Sequence, residues 1–217
     1  MLEERLYEVK QKILNSEISA NRAVNSVSLV AVSKNCNIEK IRLALVCGQR
    51  VFGENRVQEA KRKWTTLKKE YPVELRLIGP LQSNKVVEAV ELFDIIEAVY
   101  REKIACSLAI EMNKQKRKLP IYIQVNTGLE EQKAGVMPKD TKRFVSLCQQ
   151  KFGLIVEGLM CIPPVNEIPG PHFALLAKLA KECNVQKLSM GMSQDYETAI
   201  SFGSTSVRIG TSIFGNR

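Results

Sequence analysis

Eight short runs of apolar and β-branched residues recur along the 217 residues of the chain, and longer amphipathic segments separate them. Eight strands that alternate with helices over this length predict a closed parallel α/β barrel, a (β/α)8 TIM-type fold, with an extra N-terminal helix. We expect a single domain over residues 1–217, and an open doubly wound sheet is the alternative. The predicted strands are Ser28–Ser33, Arg50–Gly53, Leu75–Gly79, Asp94–Ala98, Ile121–Asn126, Leu154–Leu159, Lys187–Met190 and Ser206–Ile209. The predicted helices lie near residues 2–18, 38–47, 55–70, 83–91, 101–117, 138–150, 171–183 and 194–201.

The composition is that of a folded, soluble domain. Hydrophobic residues make up 45% of the chain and charged residues 25%, which allows a sizeable core. No apolar run approaches the roughly 18 residues that a membrane span needs. The six cysteines form no C-x-x-C pair, so neither a zinc site nor a disulfide framework is indicated. We therefore expect a cytoplasmic protein with no membrane partner.

The formal net charge of +9 raises the question of a nucleic-acid partner. The densest basic run, Lys114–Lys118, follows a helical segment, where cations meet the helix C-terminal dipole favourably. A second run, Lys61–Lys63, is expected on a solvated helix face beside Trp64. Basic and aromatic residues do not interleave as they do in a base-stacking platform. The charge pattern therefore predicts a solvated surface and no nucleic-acid partner.

Polar residues cluster where the predicted strands end, which is where barrel enzymes build their sites. The first strand ends in Lys34, the second leads to Asn55, and the seventh leads to Ser193. The eighth carries Arg208 and runs into Gly210 and Thr211 within VRIGTSIFG. Backbone N–H groups at such a strand-to-glycine turn bind phosphate. The loops after the seventh and eighth strands are therefore the predicted phosphate site.

Lys34 is the predicted nucleophile of this site. Period-two alternation places Lys34 on the same strand face as Val30 and Val32. If that face lines the barrel, desolvation and a nearby cation such as Arg208 favour the neutral amine that a Schiff base with pyridoxal phosphate requires. The alternative is a lysine that ends a strand and extends into solvent. Asn55 and Ser193 have alternative roles of their own as helix caps.

Six segments in chain order resemble the pyridoxal phosphate homeostasis protein family: AVSK, FGENRVQEA, IGPLQSNK, GLMCIP, LSMGMSQDYETAI and VRIGTSIFG. The resemblance spans nearly the whole chain. It implies a fold-type III barrel like the N-terminal domain of alanine racemase, with pyridoxal 5'-phosphate (PLP) held as a Schiff base on Lys34. It also implies the remaining cofactor-binding residues: Arg208 at the pyridine nitrogen, Ser193, Gly210 and Thr211 at the phosphate, Asn55 beside the cofactor, and Lys133 nearby.

The chain departs from the family pattern at two places. Arg76 stands before IGPLQSNK where many members carry histidine, so a role of that imidazole is absent or changed. The chain also ends at Arg217, directly after FGNR. The helix that closes the barrel is therefore expected to be very short, or to be replaced by the N-terminal helix.

The resemblance implies a role in PLP homeostasis, in which the chain buffers or delivers the cofactor. An arginine opposite the pyridine nitrogen disfavours ring protonation and weakens the ring as an electron sink, so robust catalysis is not expected. The alternative is a small PLP-dependent amino-acid racemase or lyase whose second acid or base is water or a loop residue such as Cys161. Expected partners are PLP and PLP-dependent apoenzymes or regulatory proteins, and a monomer is the expected assembly.

Overall fold

Eight parallel strands close into a barrel in chain order in the computed structural model, which describes residues 1–215. Strand β8 pairs with β1, with Arg208 opposite Val30, so the sheet has no free edge. The predicted barrel is confirmed and the open sheet was wrong; the last two residues of the predicted 1–217 domain lie outside the described residues. The strands are β1 Ser28–Val32, β2 Val51–Glu54, β3 Glu74–Leu77, β4 Ile95–Val99, β5 Ile121–Val125, β6 Val156–Cys161, β7 Lys187–Ser189 and β8 Ser206–Ile209.

Helices connect the strands on the outside of the barrel. Apolar side chains of α3, α5 and α7 are buried against the outward faces of the strands, which is the packing that an amphipathic helix needs. The helices are α1 Leu2–Ser19, α2 Ile38–Val46, α3 Val57–Glu70, α4 Val86–Leu92, α5 Glu102–Lys114, α6 Thr141–Ser146, α7 Pro169–Glu182, α8 Tyr196–Ser201 and α9 Thr211–Phe214. Two 3-10 turns, Ser83–Lys85 and Pro138–Asp140, precede α4 and α6.

The segment between β5 and β6 differs most from the prediction. The helix expected near residues 138–150 is divided into a 3-10 turn, the short helix α6 and a π-helical turn, Leu147–Lys151. The backbone N–H of Phe152 donates to the Leu147 carbonyl, which is the wider spacing of a π turn. Gly153 then reverses the chain with a φ of +64°. As a result β6 begins two residues later than expected and includes Cys161, which therefore lies in a strand and not in a loop.

The N-terminal helix α1 forms part of the outer layer of the barrel. Leu6, Val9 and Ile13 of α1 are buried, and α1 packs against α2, α8 and α9. The predicted extra N-terminal helix is confirmed. Of the two alternatives for the last helix, very short or replaced by the N-terminal helix, the described residues show the first, because α9 is present with four residues and packs against α1. Buried Glu17 accepts hydrogen bonds from the backbone N–H groups of Asn25 and Val27, which fixes the turn into β1.

The barrel interior is partly polar. A small apolar cluster of Ile95, Ala98, Tyr122 and Met160 fills part of it. Three buried charged side chains from β3, β4 and β8 also lie within the barrel: Arg76, Glu97 and Arg208. Charges are costly to bury unless they are paired, so this interior indicates a function beyond packing.

Candidate functional site

One cavity at the C-terminal end of the barrel contains six of the seven predicted site residues. Its volume is about 510 Å³, and it is lined by residues that follow β1, β2, β6, β7 and β8. A larger cleft of about 690 Å³ lies at the opposite end, before β5 and β6, and none of the predicted site residues line it. Both linings contain lysine, arginine and glycine, but of these two cavities only the first also presents serine and threonine hydroxyl groups. The predicted site residues on its lining are Lys34, Asn55, Ser193, Arg208, Gly210 and Thr211.

Lys34 lies two residues after the end of β1, half-buried, on the cavity lining with Val32. Its neighbour Ser33 faces the other way and is fully buried. The Ser33 hydroxyl donates to Glu54 Oε1 at 2.7 Å, and Lys63 Nζ donates to the Ser33 carbonyl at 2.8 Å. Because these two contacts hold the outward side of the strand end, they fix the direction in which Lys34 leaves β1.

These contacts belong to a buried charged cluster that sequence reasoning missed, formed by Ser33, Glu54, Lys63 and Trp64. Lys63 lies 2.7 Å from Glu54 and 2.8 Å from Glu59, and the Trp64 indole N–H donates to Glu54 at 3.0 Å. The expectation that Lys63 lies on a solvated face was wrong. The four-residue spacing of Glu59 and Lys63 on α3 was a sequence signal for their ion pair. The pairing of Lys63 with Glu54 had no such signal, because the burial of Glu54 depends on how the barrel closes.

Asn55 is positioned by a close approach of two loops. A Cβ on Gly79 would overlap the Asn55 carbonyl and lie 2.8 Å from its Cα, so only glycine allows the β3 loop to pass there. Helix α3 begins at Val57 with Arg56 as its N-cap, so Asn55 does not cap it. The half-buried Asn55 instead lines the cavity.

The loops after β7 and β8 supply the small polar groups of the cavity. Gly191 has a φ of +96°, and a Cβ there would lie 2.6 Å from that of Ala199. This tight turn leads to half-buried Ser193, which is not an N-cap, because Asp195 precedes α8. After β8, Gly210 is the N-cap of α9 and Thr211 is its first residue. Two hydroxyl groups and a helix-start backbone therefore line one side of the cavity.

Arg208 reaches the cavity from inside the barrel, where it is 4% exposed. Its Nη1 donates to Ser189 Oγ at 2.7 Å, and its Nη2 donates to the Cys161 carbonyl at 2.8 Å. Arg76 of β3 pairs with Glu97 at 2.9 Å and with Glu74 at 2.7 Å. Burial lowers the pKa of Arg76, but attraction by both carboxylates outweighs this and raises it overall.

Lys133 is the predicted site residue that the cavity lining does not include. It lies in the loop after β5, and its Nζ is 2.7 Å from Glu130 in the same loop. That loop still touches the cavity wall, because Gly128 lies against Pro164, a lining residue. Lys133 therefore belongs to a loop that borders the cavity, and its ammonium group pairs with Glu130.

Cys161 does not offer a reactive thiol at this site. Burial raises the pKa of Cys161 to about 12, against a smaller opposing effect of Arg208, so the thiol is neutral near neutral pH. Over residues 1–215, all six cysteines are free thiols, and no group of three or more His, Cys, Asp or Glu side chains is arranged to hold a metal ion. Within the same residues, no helix has the length and apolar character to cross a membrane.

The groups in the cavity fit PLP by their chemistry. An amine forms a Schiff base with an aldehyde, hydroxyl and backbone N–H groups bind phosphate, and a guanidinium donates to a ring nitrogen. All three kinds of group lie on the same lining, in Lys34, in the β7 and β8 loops and in Arg208.

Known proteins share this barrel and most of the chain length. The family model described as the alanine racemase N-terminal domain matches residues 14–217. A pyridoxal phosphate homeostasis protein of Aquifex aeolicus is 39% identical over 223 residues, which cover 99% of this chain and 97% of the relative. The structure of PipY from Synechococcus elongatus with PLP bound has a TM-score of 0.85 at 34% identity, covering 99% of this chain and 100% of that chain.

An alanine racemase of Clostridium difficile shares the fold at a TM-score of 0.72 and 12% identity, and it aligns over 96% of this chain but 56% of the racemase chain. The full-length relatives are closer in both sequence and length. The chain therefore belongs to the pyridoxal phosphate homeostasis protein family.

Proposed function

We propose that this chain binds PLP in the cavity at the C-terminal end of the barrel, holds it as a Schiff base on Lys34, and buffers or delivers it in PLP homeostasis. The observation that carries the proposal is the position of Lys34, Arg208 and the β7 and β8 loops around a single cavity of about 510 Å³. The names of the relatives and the PLP-bound PipY structure support the same cofactor.

Each lining residue has a role in this proposal. Ser193, Gly210 and Thr211 bind the phosphate, because hydroxyl and backbone N–H groups satisfy its oxygens. Arg208 faces the pyridine nitrogen and donates to it, while Asn55 lies beside the cofactor. Lys133 has only a peripheral role, because its Nζ pairs with Glu130 at 2.7 Å.

The proposal assigns storage and delivery, without robust catalysis, for an electrostatic reason. Arg208 is buried and fixed by two hydrogen bonds, so its charge cannot move away from the ring. A fixed cation there disfavours protonation of the pyridine nitrogen, and the unprotonated ring is a weaker electron sink. Bound PLP would supply electron withdrawal, and the fixed positive charge of Arg208 would limit it.

A small amino-acid racemase or lyase is the second candidate, and it needs a second acid or base beside Lys34. Glu167 on the cavity lining is the observation that favours it, because its Oε2 lies 3.0 Å from His172 Nε2. Deuterium exchange at Cα of candidate amino acids separates the two functions. The carrier function predicts little exchange, and a Glu167-dependent rate would support the enzyme.

Delivery also requires a recipient, and we propose PLP-dependent apoenzymes or regulatory proteins in the cytoplasm, approached by this chain as a monomer. Val165 and Ile168 support a protein partner because they are largely exposed in the loop that borders the cavity. Exposed apolar residues beside a site are typical of surfaces that contact other proteins.

The test of the proposed function is covalent trapping. The purified chain is mixed with PLP, its visible absorption is recorded, and the sample is reduced with borohydride and mapped by mass spectrometry. The proposal predicts a yellow complex and a reduced adduct on Lys34 that Lys34→Ala removes. Lys12→Ala, on the exposed face of α1, is the matched control and should keep the adduct. A native chain with no adduct, or with the same adduct in Lys34→Ala, would overturn the proposal.

A further inference from the structure

A continuous chain of hydrogen bonds crosses the barrel interior from β3 to β8. Arg76 Nη1 donates to Glu97 Oε1 at 2.9 Å, Ser189 Oγ donates to Glu97 Oε2 at 2.6 Å, and Arg208 Nη1 donates to Ser189 Oγ at 2.7 Å. The contacts join β3 to β4, β4 to β7 and β7 to β8. Since β4 and β7 are not neighbours in the sheet, the chain of contacts passes through the barrel.

All four side chains are shielded from water. Glu97 and Ser189 are fully buried, and Arg76 and Arg208 are 6% and 4% exposed. Two cations and one carboxylate leave a net charge of one positive unit along the chain of contacts. The pairing satisfies both Glu97 oxygens, which a buried carboxylate requires. Glu74 contacts the far side of the Arg76 guanidinium and is itself half-exposed.

Only one end of this chain of contacts reaches the cavity. Arg208 lines the cavity, whereas Arg76, Glu97 and Ser189 do not. Ser189 accepts from Arg208 while it donates to Glu97, so its hydroxyl hydrogen is directed by the carboxylate. The orientation of the Arg208 guanidinium therefore depends on Glu97, which contacts it through Ser189.

We propose that Arg76 and Glu97 are positioning residues of the cofactor site, which act through Ser189 to fix the Arg208 guanidinium and to balance its charge. The inference rests on the proposed function and deepens it, because it names the residues that set the charge next to the bound PLP. Arg76 pairs with Glu97 and holds it in place, and Glu97 in turn holds Ser189 toward Arg208.

Removing the charge of Glu97 and removing the charge of Arg76 should shift the pKa of the Schiff base in opposite directions. Glu97→Gln keeps the side-chain volume and removes one negative charge, so the interior becomes more positive. A more positive interior disfavours the protonated Schiff base and lowers its pKa. Two charges about 10 Å apart at an effective dielectric constant of about 20 interact strongly enough to move a pKa by roughly one unit. Arg76→Met combined with Glu97→Gln removes one charge of each sign, so the pKa should return close to the native value.

The experiment is a pH titration of the visible absorbance of the PLP-loaded protein, together with PLP affinity from a binding titration. Glu97→Gln should lower the Schiff-base pKa by roughly one unit, and the Arg76→Met, Glu97→Gln double variant should restore it. Ser189→Ala should weaken PLP binding about five- to tenfold, because Arg208 loses one of its two acceptors. Glu74→Gln is the matched control, and it should change neither quantity, since its carboxylate is half-exposed and lies beyond Arg76.

The outcomes separate this inference from the proposed function. Failure of the native chain to form a reducible adduct on Lys34 overturns the proposed function and, with it, the inference. A native adduct with an unchanged Schiff-base pKa in folded Glu97→Gln and unchanged affinity in folded Ser189→Ala overturns the inference alone. If Glu97→Gln is unstable, the charge-balanced double variant replaces it, and a pKa far from the native value there contradicts the charge balance.

Discussion

Lys63→Met should destabilise the fold by an amount that the buried cluster of Ser33, Glu54, Lys63 and Trp64 determines. Lys63 is 6% exposed and Glu54 is fully buried, so solvent does not screen their 2.7 Å contact. Removing one partner of a buried pair costs about 3 to 5 kcal/mol, because the other charge is left uncompensated. Glu54 keeps its hydrogen bonds from Ser33 and Trp64, which places the expected loss near the lower end, at about 3 kcal/mol.

Urea unfolding measures this loss. Trp64 is the only tryptophan and belongs to the cluster, so its fluorescence reports the local transition, and far-UV circular dichroism reports the whole domain. With a urea slope of about 2 kcal/mol per molar, a loss of about 3 kcal/mol lowers the midpoint by about 1.5 M. The two probes should move together if the domain unfolds as one unit.

Two further variants test the reasoning. Lys61→Met, on the same helix as Lys63, removes an exposed ion pair with Glu88 of α4 and should leave the urea midpoint nearly unchanged. Adding Glu54→Gln to Lys63→Met should recover part of the loss, because no uncompensated charge remains buried. A loss below about 1 kcal/mol for Lys63→Met, or a double variant less stable than the single one, would refute the account.

Three other predictions concern the site and its surroundings. Gly79→Ala should weaken PLP binding more than Gly170→Ala, because a Cβ at Gly79 would lie 2.8 Å from Asn55 Cα whereas at Gly170 it meets only Phe202 at 3.3 Å; binding titrations check this. Partial burial raises the pKa of Glu59, but hydrogen bonds from Lys63 and from the Asn35 backbone N–H outweigh this effect and lower the pKa overall. The stability that Glu59 contributes is therefore present above its unfolded pKa of about 4.3 and is lost as pH falls through the folded value, so the native advantage over Glu59→Gln should shrink in acid unfolding curves. Cys161, with its pKa raised to about 12 by burial, should resist alkylation at mildly alkaline pH in the folded chain, which peptide mass spectrometry checks against the half-buried cysteines.

The barrel could be predicted from the sequence because its signal is local. Each strand is a short apolar run that a turn or polar segment ends, and the helices between the strands carry their own amphipathic pattern. The strand ends then predicted which loops meet, since the C-terminal ends of parallel strands lie on one side of a barrel. Lys34, Asn55 and Arg208 could be placed on one cavity by this reasoning.

The charged interior could not be predicted, because its pairing depends on contacts between distant strands. Glu97 belongs to an apolar strand and meets Ser189, 92 positions away in the chain. A basic run predicts a solvated face for Lys63, because the sequence gives no sign that the carboxylate of Glu54 pairs with it. For Lys133, the family resemblance predicts a position near the site, but it does not predict the ion pair with Glu130 that the structure shows.

The central claim is that PLP is held on Lys34, with its ring nitrogen against Arg208 and its phosphate in the β7 and β8 loops. A crystal structure of the chain grown with PLP tests it most directly. The account predicts continuous electron density from Lys34 Nζ into the ligand, with the phosphate within hydrogen-bond distance of Ser193 and Thr211. Density for the ligand at the basic cleft before β5 and β6, with Lys34 unmodified, would contradict it.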